Sequence, residues 1–263
     1  MLDDYLSGAK LYGDDFDLPR IKRWYDEETE GYSLLVRRNA DYRYVYHSLD
    51  HHYGYRHTAL HSSSSALGIG SAFGDELLPV TDRLTDVVIL EPSKWLAAHT
   101  RIAKATYVTP NVTGEIALPD DTFDLITCLG VLHHIPNVSL VLRELFRCLR
   151  PRGYMLLREP IVSQGDWRKP RPGLTKNERG IPLTILDGML ASTGYEVVAR
   201  HLWDFSPLSR LCKTLGVETY NRKMIVLIDR FMSSLFGFNT RYHRVRIWHK
   251  FGPSAAYYVL TKT

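Results

Sequence analysis

Short apolar segments alternate with helical patterns through the middle of the 263-residue chain. Between residues 139 and 149, apolar side chains recur every three or four positions, which predicts one buried face of a helix. Strands that alternate with helices predict a mostly parallel sheet with helices on both faces and ligands at the carboxyl ends of the strands. The segments that predict these strands are 65–69, 86–90, 107–109, 123–129 and 154–157.

Beyond residue 180 the sequence predicts one more helix and two more strands, with a long gap between the strands. Residues 183–192 predict a helix, and residues 196–202 and 256–261 predict two strands. The long gap between these strands contains helical patterns of its own, so we interpret it as an insertion rather than a loop. The predicted organisation is an N-terminal helical cap at 1–58, a core at 59–202 and 253–263, and a basic helical insertion at 203–252.

Three glycines, Gly68, Gly70 and Gly74, follow the first predicted strand, and a helix is predicted to begin at Asp75. Glycines at such a turn let the backbone bend sharply and approach a ligand closely. Glu91 ends the second strand, where a carboxylate can accept both hydroxyls of a ribose. The same residues also suit a plain strand-to-helix turn followed by a solvated acid, and NAD-dependent dehydrogenases use a similar pattern. The pattern alone therefore leaves these alternatives open.

Longer motifs separate the alternatives. The segments Gly68–Ala72, Leu118–Pro136 and Leu142–Leu157, together with Glu91, resemble the class I S-adenosylmethionine-dependent methyltransferases. Within that class they are similar to the subgroup in which Leu-His-His follows the fourth strand, and a dehydrogenase has no role for that motif. The resemblance implies an α/β, Rossmann-like, doubly wound fold with a seven-stranded sheet whose last strand is antiparallel. It also implies S-adenosylmethionine as the cofactor.

The resemblance further implies which residues bind that cofactor. Glu91 would hold the ribose hydroxyls, and Glu115 and Ile116 stand near the expected place of the adenine. One position departs from the family pattern, because Ala66 stands where an acid usually lies two residues before the first glycine. Either this loss weakens cofactor binding or another polar group replaces the acid. The residues expected to bind the cofactor are Gly68, Ile69, Gly70, Ser71, Glu91, Pro92, Glu115, Ile116 and Leu129.

Candidates for catalysis follow the fourth and fifth predicted strands. Methyl transfer to an oxygen atom benefits from a general base, and a neutral histidine suits that role near pH 7. His133 and His134 follow the fourth strand, and Asp166 and Glu159 are alternative bases in the polar segment after the fifth strand. Either histidine is equally typical of a residue that packs against, or caps, the next helix. The residues expected to contact the acceptor are Trp167, Arg168, Arg179 and His52.

Composition and charge limit the partners. The net charge of +4 is too small to indicate nucleic-acid binding by itself, so no nucleic-acid partner is predicted. The three cysteines lack metal-type spacing, and the histidines between residues 47 and 57 lack a carboxylate or thiol set, so no metal is predicted. Cysteines that form no disulfide framework, and the absence of a signal-peptide pattern, favour a cytoplasmic location.

The charge is concentrated near the C-terminus. Residues 200–250 hold 10 Lys and Arg but 3 Asp and Glu, and residues 223–238 predict a strongly apolar helix. The segment 223–250 is typical of a substrate lid, of a homodimer interface or of a peripheral contact with the inner face of a membrane. We interpret the chain as an O-methyltransferase acting on a sugar or glycan-type acceptor. The alternatives are a methyltransferase for natural products or other small molecules, and a non-catalytic cofactor-binding protein.

Overall fold

The computed structural model describes residues 2–38 and 43–263, and the side chains of residues 3–29 and 43–263. Residues 39–42 of the predicted N-terminal cap lie outside this description. The strands are β1 Ser64–Ile69, β2 Leu84–Leu90, β3 Ala105–Val108, β4 Phe123–Leu129, β5 Leu149–Pro160, β6 Glu196–Phe205 and β7 Pro253–Thr261. These seven strands of the described chain form one sheet in the order β3-β2-β1-β4-β5-β7-β6.

The sheet is parallel except at β7. β1 pairs parallel with β2 and β4, β2 with β3, and β4 with β5, whereas β7 pairs antiparallel with both β5 and β6. The predicted Rossmann-like sheet with an antiparallel last strand is therefore confirmed. β5 is much longer than the predicted segment 154–157, because its pairing with β4 already begins at Leu149.

Helices cover both faces of the sheet. Leu142, Leu145 and Leu186 pack on one face, and Leu49 and Val226 pack on the other. No helix among the described residues combines the length and the apolar composition that crossing a bilayer requires. The helices are α1 Leu2–Ser7, α2 Leu18–Arg38, α3 His47–Tyr53, α4 Lys94–Ala97, α5 Val138–Cys148, α6 Leu183–Thr193, α7 Ser206–Thr214 and α8 Lys223–Leu235.

Several connections are 3₁₀-helical. The helix predicted to begin at Asp75 is a 3₁₀ helix that continues to Arg83, and it contains Pro79. Proline has no N–H, so it interrupts the hydrogen-bond pattern that an α-helix would need there. The other 3₁₀ helices are Tyr55–His57, Leu132–His134, Gly237–Asn239 and Ile247–Lys250.

Backbone hydrogen bonds align the loops that leave the carboxyl ends of the strands. The N–H of Gly70 donates to the carbonyl of Leu90 at 2.8 Å, and the N–H of Gly130 donates to the carbonyl of Arg158 at 2.6 Å. Because β1 and β4 are neighbours in the sheet, the loops that begin at these glycines lie side by side. This edge of the sheet is where a parallel α/β fold binds ligands.

Candidate active site

Two neighbouring cavities, of about 150 Å³ and 360 Å³, lie at the carboxyl edge of the sheet. Gly70 and Gly130 line both of them. The smaller is called the α2 cavity, because α2 borders it through Tyr25, Glu28 and Thr29. The larger is called the aromatic cavity, because its wall includes Tyr44, Tyr46 and Trp203.

Glu91 supplies a buried carboxylate to the α2 cavity. One carboxylate oxygen accepts the N–H of Ser93 at 2.9 Å, and the other accepts the N–H of Ala72 at 3.3 Å. Burial raises the pKa of Glu91 to about 7, since a charged carboxylate is costly away from water. The carboxylate is therefore held in one orientation at the end of β2, with lone pairs left for a ligand.

Gly70 and Gly130 bring backbone close to the space between the cavities. Both have positive φ, +58° and +81°, a conformation that favours glycine. A Cβ atom added at Gly70 would lie 2.9 Å from Cγ1 of Val131, closer than carbon atoms approach without displacement. At this position a side chain would fill the space that a ligand bridging the cavities needs.

His133 and Glu159 form a buried pair in the wall of the aromatic cavity. Nδ1 of His133 lies 2.8 Å from Oε2 of Glu159. A carboxylate only accepts hydrogen bonds, so Nδ1 carries a proton and Nε2 of the neutral ring is the acceptor. The N–H groups of Val131, Leu132 and His133 also donate to Glu159, at 2.7–3.2 Å. Burial lowers the pKa of His133 below 6.5, which favours a neutral ring at pH 7.

His134 faces the α2 cavity instead. Its Nδ1 lies 2.8 Å from Oε2 of Glu28, and its carbonyl accepts the indole N–H of Trp24 at 2.7 Å. Both partners belong to α2, so these bonds hold that helix over the cavity. The adjacent imidazoles therefore serve different cavities, although their ring centroids are 4.1 Å apart.

A small cluster of ligand atoms surrounds these rings. His133, His134 and Glu178 place nitrogen and oxygen atoms within 4.8 Å of one another. Nε2 of His133 lies 3.8 Å from Oε1 of Glu178, which is beyond hydrogen-bonding distance. Metal–ligand bonds of about 2.0–2.2 Å allow two ligands of one ion to be up to about 4.4 Å apart, so the separation of His133 and Glu178 is compatible with a shared ion.

A buried cation forms part of the aromatic cavity. Arg158 pairs with Asp50 at 3.2 Å, and its guanidinium lies over the ring of Tyr46 at 3.9 Å from the centroid. The hydroxyl of Tyr44 donates to the other oxygen of Asp50 at 2.5 Å. These contacts fix the positions of the rings, so the aromatic cavity is largely preformed.

Among the side chains that line the aromatic cavity, Trp203 and Gln164 each carry a nitrogen donor with no hydrogen-bond partner among the described residues. These donors are the indole N–H of Trp203 and the amide nitrogen of Gln164. An unpaired buried donor costs about 1–3 kcal/mol, so native proteins usually satisfy such groups. Both side chains line the cavity, so a ligand with hydrogen-bond acceptors would lie beside these donors.

Backbone strain is concentrated at the same cavity. Among the described residues, the non-glycine positions with positive φ are Ala72, Asp121, Arg152, Gln164 and Asp204. Ala72, Gln164 and Asp204 line the aromatic cavity. Such conformations persist where the surrounding structure imposes them, and they are frequent at functional sites.

Sequence comparison assigns this arrangement to a family. Residues 43–216, about two thirds of the chain, match the model of a methyltransferase domain. The chain belongs to the methyltransferase family. This match, together with the sheet order, establishes the enzyme as an S-adenosylmethionine-dependent methyltransferase of class I. No curated protein sequence matches the methyltransferase.

Solved structures share its fold at low sequence identity. An S-adenosylmethionine-dependent methyltransferase from Archaeoglobus fulgidus is 14% identical, with a TM-score of 0.51 over 76% of this chain and 86% of that chain. Another from Mesorhizobium loti is 14% identical, with a TM-score of 0.50 over 76% and 91% of the two chains. The [4+2]-cyclase SpnF is 17% identical, with a TM-score of 0.52 over 79% and 78%. Since one fold serves different reactions, these likenesses establish the fold alone.

The residues that the sequence associates with the cofactor lie around the two cavities. Glu91 supplies a rigid carboxylate, and the glycine backbones leave an open cradle, which fits a ribose and a methionyl chain. Gly68 lies beneath the loop, where an added Cβ would lie 2.3 Å from Oγ of Ser71. The α2 cavity is lined by Ile69, Gly70, Glu91, Pro92, Glu115 and Ile116, and the aromatic cavity by Ile69, Gly70, Ser71 and Leu129.

The residues that the sequence associates with the acceptor lie elsewhere. Asp166, one of the two alternative bases, pairs with Arg168 at 2.7 Å. Trp167 stacks on Tyr12, with ring centroids 5.1 Å apart. In the described structure none of these side chains lines either cavity, and neither does His52 of α3. The loop after β5 thus packs against the N-terminal segment through Trp167 and does not bring these groups to either cavity.

Arg179 also has a structural role. Its guanidinium is fully buried and donates to the backbone carbonyls of Tyr12, Leu132 and Ile135 at 2.9–3.1 Å. Each of these bonds satisfies a carbonyl near the turn that carries the histidines. Arg179 therefore stabilises that turn from behind, and its donors are not directed at an acceptor.

Glu76 brings a carboxylate to the part of the site where Ala66 lacks one. It lies in the 3₁₀ helix after the glycine loop and lines the aromatic cavity. A Cβ at Gly68 would lie 3.5 Å from Oε1 of Glu76, and Thr127 donates to the same oxygen at 3.4 Å. Burial raises the pKa of Glu76 to about 7. An acid is thus present beneath the loop, although a different element supplies it.

Proposed function

We propose that this methyltransferase methylates an oxygen atom of a sugar or glycan-type acceptor, which occupies the aromatic cavity. The observation that carries the proposal is the His133–Glu159 pair, beside the glycine at which the two cavities meet. A Cβ at Gly130 would lie 3.7 Å from Cε1 of His133, so the imidazole borders the junction itself. A base at a junction between a cofactor and an acceptor can act on the hydroxyl that receives the methyl group.

In this proposal the α2 cavity holds the adenosine part of the cofactor. Glu91 would accept hydrogen bonds from the ribose hydroxyls, and Glu115 and Ile116 would lie beside the adenine. Gly70 and Gly130 would let the methionyl part pass toward the aromatic cavity. When bound, S-adenosylmethionine supplies an electrophilic methyl group on a sulfonium, and the protein's task is mainly to align the acceptor with it.

The chain's own residues prepare the acceptor. Nε2 of His133 would take the proton of the acceptor hydroxyl while that oxygen bonds to the methyl group, the sulfur–methyl bond breaks, and S-adenosylhomocysteine is left as the neutral thioether product. Glu159, held by three backbone N–H groups, keeps the ring oriented and stabilises the imidazolium that forms. The proton then leaves to solvent, which returns His133 to its neutral form.

The aromatic cavity supports an acceptor that is rich in hydroxyls. Tyr44, Tyr46 and Trp203 give the cavity an aromatic wall, and the indole N–H of Trp203 and the amide of Gln164 are unpaired donors. Sugar hydroxyls accept and donate hydrogen bonds at several points of one ring. An acceptor of this class would satisfy both donors at once.

Incubation with methyl-labelled cofactor and separate pools of glycolipids, sugar nucleotides and phenolic metabolites, read by mass spectrometry, tests the acceptor class. Methyl label on a sugar hydroxyl is the expected result. Label on a phenol or on another non-sugar atom would replace the glycan proposal with the small-molecule alternative.

A tryptophan pair tests where the acceptor binds. The substitution Trp203→Phe removes the unpaired N–H but keeps the ring, so the KM for the acceptor should rise roughly 2- to 10-fold, the value of one hydrogen bond. The matched control is Trp167→Phe, because Trp167 also has an unpaired indole N–H but lies outside both cavities. Steady-state kinetics in which W167F raises KM and W203F does not would move the acceptor to the loop after β5.

A second substitution tests whether Glu76 replaces the acid that is absent at Ala66. We expect Glu76→Gln to weaken binding of S-adenosylhomocysteine by roughly tenfold, since a hydrogen bond to a charged group is worth about 1.5–3 kcal/mol. Calorimetry can compare it with Asp82→Asn, which alters an exposed acid on the same 3₁₀ helix. Equal affinity in both variants would show that Glu76 does not take the place of the acid that is absent at Ala66.

A further inference from the structure

α8 presents its apolar side chains to solvent. Met224, Phe231 and Leu235 are 67%, 66% and 55% exposed, whereas Val226 and Asp229 are fully buried on the opposite face. The exposed apolar residues of this helix are Met224, Leu227, Ile228, Phe231 and Leu235, which follow the spacing of one helical face. A helix at a protein surface normally turns its apolar side chains toward the core and its polar side chains toward water.

The segment after α8 extends this surface. Phe238 is 86% exposed, and the neighbours Ile247 and Trp248 are 73% and 56% exposed. We call the exposed apolar side chains of α8 and of this segment the insertion surface: Met224, Leu227, Ile228, Phe231, Leu235, Phe238, Val245, Ile247, Trp248 and Phe251. The side-chain amide of Asn239 donates to the carbonyls of Trp248 and Phe251, both at 2.7 Å, which holds residues 248–251 close to the end of α8. Several large exposed apolar side chains near one another mark a site of interaction.

The charge of the same segment has one sign. Asp229, the single acid within residues 223–250, is buried, and it accepts the N–H groups of Asp204 and Phe205 at 3.0 and 2.8 Å. It therefore fixes α8 to the end of β6 and presents no charge to solvent. The basic residues of the segment are Lys223, Arg230, Arg241, Arg244, Arg246 and Lys250.

We infer that the insertion surface docks on an anionic lipid bilayer. Apolar side chains and a tryptophan can enter the interface between headgroups and acyl chains, while Lys and Arg attract the acidic headgroups. A second copy of the chain is a poorer occupant. A two-fold dimer places the same patch against itself, and within residues 223–250 no exposed acid is present to offset the facing cations.

Docking would also orient the enzyme. The connection between β6 and β7 spans residues 206–252. Asp204 and Ser254 lie just before and just after it, and both line the aromatic cavity. The rim of that cavity is therefore continuous with the element that contacts the bilayer. The docking surface itself does not depend on the identity of the acceptor, so its test is separate from the test of the proposed function.

Vesicle flotation of the full-length protein tests the docking. We expect binding to vesicles that contain phosphatidylglycerol, weaker binding to pure phosphatidylcholine vesicles, and release as salt is added. The double variant Phe231→Ser with Trp248→Ser should lower the partition coefficient roughly tenfold or more, because both exposed side chains would otherwise enter the bilayer. The matched control is Val197→Ser, an exposed apolar residue on β6 outside the insertion surface.

The variants must first retain wild-type affinity for S-adenosylhomocysteine, which shows that the fold is intact. Absence of binding to phosphatidylglycerol vesicles, or equal binding by the double variant, would overturn the inference. Sedimentation equilibrium provides the alternative outcome. A dimer of the wild-type protein that F231S W248S dissociates, and that excludes vesicles, would assign the surface to a second copy instead.

Discussion

Replacing His133 with alanine is expected to lower kcat roughly 10²- to 10⁴-fold, the usual contribution of a general base. The affinity for S-adenosylhomocysteine should change little, because the imidazole lines the aromatic cavity and not the α2 cavity. With the wild-type enzyme, kcat should rise with pH as His133 loses its proton and reach a plateau. Since burial lowers the pKa of His133, that rise should lie below pH 6.5.

Two further variants separate catalysis from folding. Glu159→Gln keeps the shape of the side chain but weakens its hold on Nδ1, so it should lower kcat less than H133A does and shift the pH profile. His61→Ala removes an exposed histidine before β1 and should leave kcat unchanged. If H133A reduced kcat no more than H61A does, methyl transfer would depend on alignment alone, and the acceptor would need no base.

Replacing Glu91 with alanine is expected to weaken binding of S-adenosylmethionine and S-adenosylhomocysteine by about 1–3 kcal/mol, or roughly 5- to 150-fold. The carboxylate is buried and already oriented by Ser93 and Ala72, so the ribose hydroxyls meet an acceptor that needs no rearrangement. Asp86→Ala is the matched control, because Asp86 is an exposed acid on the same strand. Isothermal calorimetry measures both affinities directly.

The same carboxylate predicts a pH dependence. Burial raises the pKa of Glu91 to about 7, so part of the population is protonated at neutral pH. A protonated carboxyl accepts fewer hydrogen bonds than a carboxylate, so cofactor affinity should increase as pH rises through 7. Glu91→Gln should remove that increase. A cofactor affinity that stays constant between pH 6 and pH 8 in the wild-type enzyme would show that Glu91 does not bind the ribose hydroxyls.

Local sequence patterns were enough to predict that Gly70 and Glu91 lie at the edge of the sheet where the cofactor is proposed to bind. Gly70 follows β1 directly and Glu91 follows β2 directly, so strand prediction alone places both at the carboxyl edge of the sheet. The antiparallel position of β7 came from the family resemblance, since periodicity does not determine the order of strands in a sheet. The strands, and the residues that directly follow them, could therefore be predicted, because both depend on neighbouring positions in the chain.

The aromatic cavity depends on contacts between distant parts of the chain. Trp203 reaches the aromatic cavity through the pairing of β6 with β7, which a linear reading does not provide. Arg179 and Trp167 looked like ligand contacts because they lie in a polar loop after β5, but both pack against Tyr12 near the N-terminus. Glu76 is not among the residues that the resemblance assigns to the cofactor, because the family pattern has the acid on the first strand, at the position of Ala66. A buried acid at the start of a helix was the available signal.

The described residues that line the α2 cavity all lie between Tyr25 and Val141, whereas the aromatic cavity also draws on residues as far along the chain as Ala255. The insertion leaves the sheet after β6 and returns at β7, within a single antiparallel connection. Its length and composition can therefore change without altering any strand that carries the cofactor. The described residues between 206 and 252 line neither cavity, so exchanging this segment between related enzymes should change the proposed membrane contact and leave both cavities intact.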